Sequence, residues 1–326
     1  MNPIRASAPG SFMVMGEHAV LHGQPALVAS TDLRLTVTAT PRQDGRVSLR
    51  REGQTHEGPW PGLDDHPAFR FALVGLRKVG VPEGGLDLRF ESDMPDTVGL
   101  GSSAAVTVAT LAAVQGLSLP AEAQRRWDES VQPLDQTVQS LDNRLALFRA
   151  TREVIREVQG TGSGADAAAS VFGGLVALED GEPRRLSAGL PEMALVYCGY
   201  KTPTPEVIRK VDAQLETIPA LRNLFPAMGE VTRTAIATAE AGNWAAVGQA
   251  MDAYQGHLDA LGVNTPELEA ILTALRRMPG LLGAKISGSG LGDCALGLGA
   301  ALTGPLPGTV LPVRPGTEGV KRERIA

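Results

Sequence analysis

Apolar positions change period along the chain, and each change marks an element. Residues 3–15 read as a strand entered through Ala8-Pro9-Gly10, with Phe12 and Val14 in its apolar run. Gly16-Glu17-His18-Ala19-Val20-Leu21-His22-Gly23 interrupts that run, and Leu27 and Val28 resume it. Leu33, Leu35 and Val37 then alternate with Arg34, Thr36 and Thr38, the period-two pattern of a half-buried strand. Gly, Pro, Asp and charged residues crowd 41–66, which predicts a hairpin at 46–51 and then an exposed loop. Residues 69–79 have helical spacing and 86–91 read as a strand.

The centre of the pattern is 95–117. A polar turn, Pro95 to Ser103, runs into Ala104, Ala105, Val106, Val108, Ala109, Leu111, Ala112, Ala113 and Val114. That segment is apolar nearly all round, as in a helix buried in a large core. Gly99 and Gly101 let backbone approach a ligand closely, and Ser102 or Ser103 can cap the helix. The first-turn N–H groups and the dipole of such a helix form an anion site, although an ordinary capped helix has the same composition.

Beyond Leu117, residues 121–158 are charged and helical by period until Gly160-Thr161-Gly162-Ser163-Gly164 breaks the helix. Ala167–Phe172 reads as a short apolar helix, and strands follow at 175–178 and 194–198. Thr202-Pro203-Thr204-Pro205 opens a helix at 206–215, and 218–280 are mainly helical. A tight glycine loop at 288–292 joins two further strands, and the tail alternates again at 310–313. Strands and helices without regular βαβ alternation indicate an α+β fold. A boundary at 190–205 divides the chain into domains 1–195 and 196–326.

Composition narrows the function. The chain has 326 residues, 43% hydrophobic and 20% charged, with a net charge of −6, which argues against a nucleic-acid surface. Cys198 and Cys294 have no metal or disulfide spacing, so a reducing cytoplasm is expected. Glu17 and His18 interrupt the apolar run that a signal peptide would need, and no apolar stretch approaches the roughly 20 residues of a membrane span. The five lysines are Lys78, Lys201, Lys210, Lys285 and Lys321, so a lysine inside a motif stands out.

Three glycine-rich loops occur, at 99–103, 160–164 and 288–292, and none completes a Walker A or G-x-G-x-x-G pattern. Small residues in a loop suit a polyanion, which needs convergent N–H groups and no intruding side chains. They also suit plain turns. Asp166 follows the second loop, as a helix-start carboxylate or as a base for a substrate hydroxyl. Glu17-His18 reads as surface or as pocket lining on the same footing.

Together these residues carry a resemblance. Ala8-Pro9-Gly10-Ser11 through Gly16-Glu17-His18-Ala19-Val20-Leu21-His22-Gly23 resembles the first motif of mevalonate kinases. Gly99-Leu100-Gly101-Ser102-Ser103-Ala104-Ala105 resembles the phosphate loop of the wider GHMP kinase superfamily. Lys285-Ile286-Ser287-Gly288-Ser289-Gly290-Leu291-Gly292-Asp293-Cys294 resembles its third motif. The order and separations match over nearly the whole chain. The resemblance implies a ribosomal-S5-like N-terminal domain, a ferredoxin-like C-terminal domain, ATP and Mg²⁺ between them, and phosphoryl transfer to a small alcohol, with mevalonate the leading acceptor. It implies acceptor contacts from Glu17 and His18. Nucleotide contacts would come from Gly99, Leu100, Gly101, Ser102, Ser103, Ala104, Gly288, Ser289 and Gly290, and Asp166 would be the catalytic aspartate. Metal ligands would come from Ser102 or Ser103 with Glu153 or Glu157. It is compatible with a homodimer.

Two departures stand out. Mevalonate kinases usually have lysine where this chain has Ser11, which removes a cation from a site that depends on charge stabilisation. Lys201 is the replacement expected, ahead of Lys285. The 162–166 and 287–294 segments look more like phosphomevalonate kinases. A phosphomevalonate kinase, or a nucleotide-binding sensor without turnover, therefore stands as the alternative.

Overall fold

The computed structural model describes residues 2–95, 98–118, 138–299 and 304–325. The 121–137 part of the expected charged helix lies outside the described residues, as do Asp96 and Thr97 of the first glycine loop.

Seven of the eight strands of the first sheet are β1 (Ile4–Met15), β2 (Ala26–Pro41), β3 (Arg46–Arg51), β4 (Gln54–Pro59), β5 (Gly85–Ser92), β6 (Leu175–Glu179) and β7 (Glu182–Arg185). Their hydrogen-bonded order is β1-β2-β5-β3-β4, with β6 also on β2 and β7 on β6. The β3–β5 pair is parallel and the other pairs are antiparallel. In β1 the first residues alternate, Ile4, Ala6 and Ala8 inward, whereas Ser11, Phe12, Val14 and Met15 are all buried. That half of the strand has protein on both sides, which overrides period two.

Four helices pack with this sheet: α1 (Arg70–Val79), α2 (Ser102–Ser118), α3 (Val138–Gln159) and α4 (Ala165–Phe172). The all-round apolar reading of α2 holds because it touches β1 and β2 as well as α1, α3 and α4. Val108, Ala109, Leu111, Ala112 and Ala113 are fully buried in it. Gly75 of α1 lets Leu111 close in, since a β-carbon there would lie 3.3 Å from Leu111 Cδ2. Leu111→Ala would open a cavity in this contact at a cost of about 2–5 kcal/mol.

The second sheet holds β8 (Met193–Tyr197), β9 (Gly283–Ser287), β10 (Cys294–Leu298) and β11 (Thr309–Val310) in the antiparallel order β11-β8-β10-β9. Helices α5 (Thr204–Thr217), α6 (Leu224–Glu240), α7 (Trp244–Ala260) and α8 (Pro266–Arg276) lie between β8 and β9, with α7 packed on β9 and α8 on β9 and β10. The last strand, β12 (Lys321–Arg324), returns to pair with β1. Two corrections to the expected division follow. The 195/196 boundary cuts through β8, which pairs wholly within the second sheet. The tail closes the edge of the first sheet beside β1, so it belongs with the N-terminal half.

Candidate active site

The 99–103 loop is set in place by a bulge in β1. Between Pro9 and Ser11 the β1–β2 register shifts, which leaves Gly10 out of the ladder. A β-carbon on Gly10 would sit 2.7 Å from the Leu100 carbonyl oxygen. The Ser11 N–H donates to that same oxygen at 2.9 Å. Gly101, at φ +65°, turns the chain into α2, and its carbonyl accepts from Ala104 and Ala105 N–H. The helix starts at Ser102, so Ser102 and Ser103 are first-turn residues instead of the caps expected. Their positions leave Ser102 exposed and Ser103 half-buried, whereas Leu100 and Ala104 are buried. The Leu100 and Ala104 side chains therefore pack behind the loop. A cavity of about 1030 Å³ opens beside Ser102 and Ser103, floored by Val106, Phe71, Phe90 and Met94 and edged by Arg50 and Arg89.

Ser11 Oγ donates to Asp166 Oδ1 at 2.8 Å. Asp166, in the first turn of α4, is crowded by protein but keeps part of its surface open. Desolvation pushes its carboxyl above the ordinary range; the Ser11 bond and the Lys201 charge pull it down, and Asp293 pushes it up. Lys201 Nζ lies 3.5 Å from Asp293 Oδ2, and the Gly99 N–H donates to Asp293 Oδ1 at 3.0 Å. Thus Ser11, Gly99, Asp166, Lys201 and Asp293 converge, drawn from both halves of the chain. A β-carbon on Gly99 would fall 1.9 Å from Asp293 Oδ2. Only glycine admits this carboxylate. On Gly101 it would fall 2.0 Å from Ser11 Oγ, so a side chain there would push on the partner of Asp166 as well as on any ligand.

Motif one meets the third glycine loop at a second point. Glu17 Oε1 accepts from Lys285 Nζ in a fully buried pair, and Lys285 also donates to the Ile286 carbonyl. The Tyr254 hydroxyl donates to the Glu17 carbonyl at 2.8 Å, and the Lys285 ammonium stands 5.6 Å from the Tyr254 ring centre. Glu17 was expected at the acceptor; its carboxylate is instead spent on Lys285, with Oε2 left without a hydrogen-bond partner. His18 holds φ +58° and shares a 2.8 Å hydrogen bond between its Nε2 and the Ser289 carbonyl. Burial pushes its imidazole below the usual range, so it is neutral near pH 7.

The expected glutamate metal ligands are corrected. Glu153 and Glu157 both pair with Lys78, at 3.3 and 3.4 Å on the exposed α1–α3 seam, and neither is brought to the Asp166 cluster. Gly290 turns toward the Val263 carbonyl, 2.6 Å from where its β-carbon would be, while Gly288 and Ser289 are only half-buried. Among the described residues no group of three His, Cys, Asp or Glu is poised to hold a metal on protein ligands alone. Asp293 was missed as a site residue. Its only signal was a carboxylate breaking a glycine run, and such a signal does not say where the side chain points.

Comparison with known proteins decides the family. The family model described as GHMP kinases N terminal domain matches residues 66–174, and GHMP kinases C terminal matches 234–301. The mevalonate kinase of Archaeoglobus fulgidus is 32% identical, covering 98% of this chain and 99% of that one. The chain belongs to the GHMP kinases. Solved GHMP-type structures share its two-domain α+β fold. The mevalonate kinase of Methanococcus jannaschii superposes with a TM-score of 0.70 at 22% identity over 91% of this chain and 90% of that one. That of L. major, in complex with R-mevalonate, gives 0.69 at 21% identity over 96% of each. In this GHMP kinase the 99–103 loop and the Asp166 cluster meet residues of the second half of the chain at Lys201 and Asp293. No helix among the described residues is long and apolar enough to cross a membrane.

Proposed function

We propose that this enzyme transfers the γ-phosphoryl group of ATP to a hydroxyl of mevalonate. The observation that carries the reading is the convergence of Asp166, Ser11, Lys201 and the Gly99 N–H, through Asp293, at one point where the two halves of the chain meet. It is joined to 32% identity with a mevalonate kinase over 98% of the chain. The nucleotide enters over 99–103, with its base in the cavity floored by Phe71 and Phe90. Its phosphates take up the free N–H groups at the start of α2. Asp166 receives or orients the hydroxyl proton, and its raised affinity for a proton suits a base. Lys201 supplies the cation that Ser11 does not, and faces the charge that develops on the transferred group.

Mg²⁺ fits this donor set. A magnesium ion is usually held by one or two carboxylates together with substrate phosphates, and Asp166 and Asp293 are close enough to act on one another. Those carboxylates and the hydroxyls of Ser102 and Ser103 would hold it, and it would neutralise phosphate charge there. Cys198 and Cys294 are free thiols, which suits the cytoplasm we propose for it. An ADP-release assay with mevalonate, phosphomevalonate and a panel of sugars tests the assignment. Turnover of mevalonate well above the others is expected; preference for phosphomevalonate, or no ADP from any acceptor, overturns it.

A further inference from the structure

Helix α4 carries Asp166 in an otherwise almost bare sequence, Ala165-Asp166-Ala167-Ala168-Ala169-Ser170-Val171-Phe172. Asp166 and Ser170 are its two polar side chains. They are four positions apart and share a face, and both bond to β1. A helix of about two turns is not stable alone, so contacts with the rest of the protein fix where α4 sits.

The Ser170 hydroxyl is buried and donates to the Pro9 carbonyl oxygen at 2.8 Å. Helix hydroxyls elsewhere in the protein behave differently. Those of Thr107, Thr217, Thr232, Thr234 and Thr238 each donate to the carbonyl four residues earlier in their own helix. For Ser170 that carbonyl would belong to Asp166. Its hydroxyl instead reaches 161 positions back along the chain, to the residue just before the Gly10 bulge. The far end of α4 is held separately, where the Val171 carbonyl accepts from the Val320 N–H and the Arg144 guanidinium. Those bonds do not involve β1.

The contacts make a ladder of two rungs, Asp166 with Ser11 and Ser170 with Pro9. Four residues of helix rise about 6 Å, and two residues of strand advance about 6.6 Å. The spacings match, so both rungs close in one register of α4 against β1. The Ser11 N–H in turn donates to the Leu100 carbonyl at 2.9 Å. Residues 9–11 thus stand between the helix that carries Asp166 and the 99–103 loop. We propose that Ser170 is a positioning residue: through Pro9 it holds the register in which Ser11 meets Asp166, and so sets the distance from the Asp166 carboxylate to the 99–103 loop. The inference rests on Asp166 being the base of the proposed phosphoryl transfer. Such a transfer is sensitive to spacing, since a displacement of about 1 Å can cost ~10²-fold in rate. A serine that served packing alone would affect stability and leave turnover as it is.

Steady-state kinetics of Ser170→Ala, which deletes one oxygen and adds no bulk, test the role. The kcat should fall about 10- to 100-fold, with the KM for ATP and for mevalonate each within about twofold of wild type. A double-mutant cycle with Ser11→Ala tests the route. If Ser170 acts through Ser11, adding Ser170→Ala to Ser11→Ala should slow turnover by no more than about twofold. Hydrogen–deuterium exchange reads the same contact without turnover: the Ser11 amide, now bonded to the Leu100 carbonyl, should exchange faster in Ser170→Ala. If Ser170→Ala does not fold, Ser170→Cys, of similar size and a weaker donor, carries the same measurements. Wild-type kcat in the folded variant overturns the inference, even where the denaturation midpoint falls. So does full additivity in the cycle, a raised KM with kcat intact, or unchanged exchange at Ser11. Asp166→Asn, run alongside, separates this inference from the reading beneath it. Near-normal turnover there removes the base and the inference with it. A large loss there, beside wild-type turnover in Ser170→Ala, overturns the role of Ser170 alone.

Discussion

Two ionic contacts lie where the two halves of the chain meet, Glu17–Lys285 across them and Lys201–Asp293 within the second half but bonded to Gly99 of the first, and they differ in access to water. Glu17–Lys285 is sealed, with side chains 2% and 0% exposed. Lys201–Asp293 is open on one side, with the lysine 36% exposed and the aspartate 8%. In the sealed pair both charges are fixed, because moving either one would strand the other in a medium that cannot solvate it. The open pair costs little to separate, so Lys201 can exchange Asp293 for a phosphate oxygen. One is built into the architecture; the other, in the proposed reaction, would face the chemistry.

The largest effect expected is on the sealed pair. Lys285→Met leaves the Glu17 carboxylate buried without a cation and should destabilise the protein by about 3–5 kcal/mol, read as a lower denaturation midpoint in urea. The double variant Lys285→Met with Glu17→Gln should recover much of that loss. If Lys285→Met alone proved neutral, Glu17 would have to reach water and the contrast between the pairs would fail.

Next comes the acceptor base. Asp166→Asn should lower kcat by roughly 10²-fold or more, with ATP still bound and the denaturation midpoint little changed. Near-normal turnover in a folded Asp166→Asn enzyme would remove Asp166 from the chemistry. Lys201→Met is the matched test of the open pair. Its kcat should fall about 10- to 100-fold, since one charge-stabilising donor is lost, while stability changes by less than about 1 kcal/mol. The reverse pattern, a stable kcat with a large loss of stability, would make Lys201 a structural residue and erase the distinction from Lys285.

How far the sequence foretold this depends on the range of each interaction. The burial of α2, most strands of both sheets and the three glycine loops were legible, because periodicity and turn residues act over a few positions; β4 fell in the expected exposed loop, and β7 and β12 were not read as strands. The partners of Glu17, Glu153 and Glu157 were not. Glu17 meets Lys285 across 268 positions, and Glu153 meets Lys78 across 75. A charged residue near a motif tells nothing of which distant cation the fold brings to it. Ser11 was noticed as a missing cation, but its hydroxyl has a positive use that only the structure reveals. With its side chain fully buried and the Gly101 backbone against it, position 11 has no room for a lysine. Restoring lysine there is therefore not a clean rescue of Lys201→Met.

The smallest effects expected are shifts of the pH profile, and their opposite signs make them the sharpest test of the open pair. Asp166 must be ionised to accept a proton. Its carboxyl titrates above the ordinary range because protein crowds it, so kcat/KM should be lost as pH falls through that raised value. Asp293 adds to the rise by charge repulsion, and Ser11 opposes it by donating to the ionised form. Asp293→Asn removes the repulsion and frees Lys201 from its partner. Both changes favour ionised Asp166, and the acid limb should move to lower pH. Ser11→Ala removes the donor, and the limb should move to higher pH. If the two variants shifted the limb the same way, the group titrating there would not be Asp166. An unmoved limb in Asp293→Asn alone would show that Asp293 leaves the cluster once nucleotide is bound, and that Lys201 by then faces phosphate.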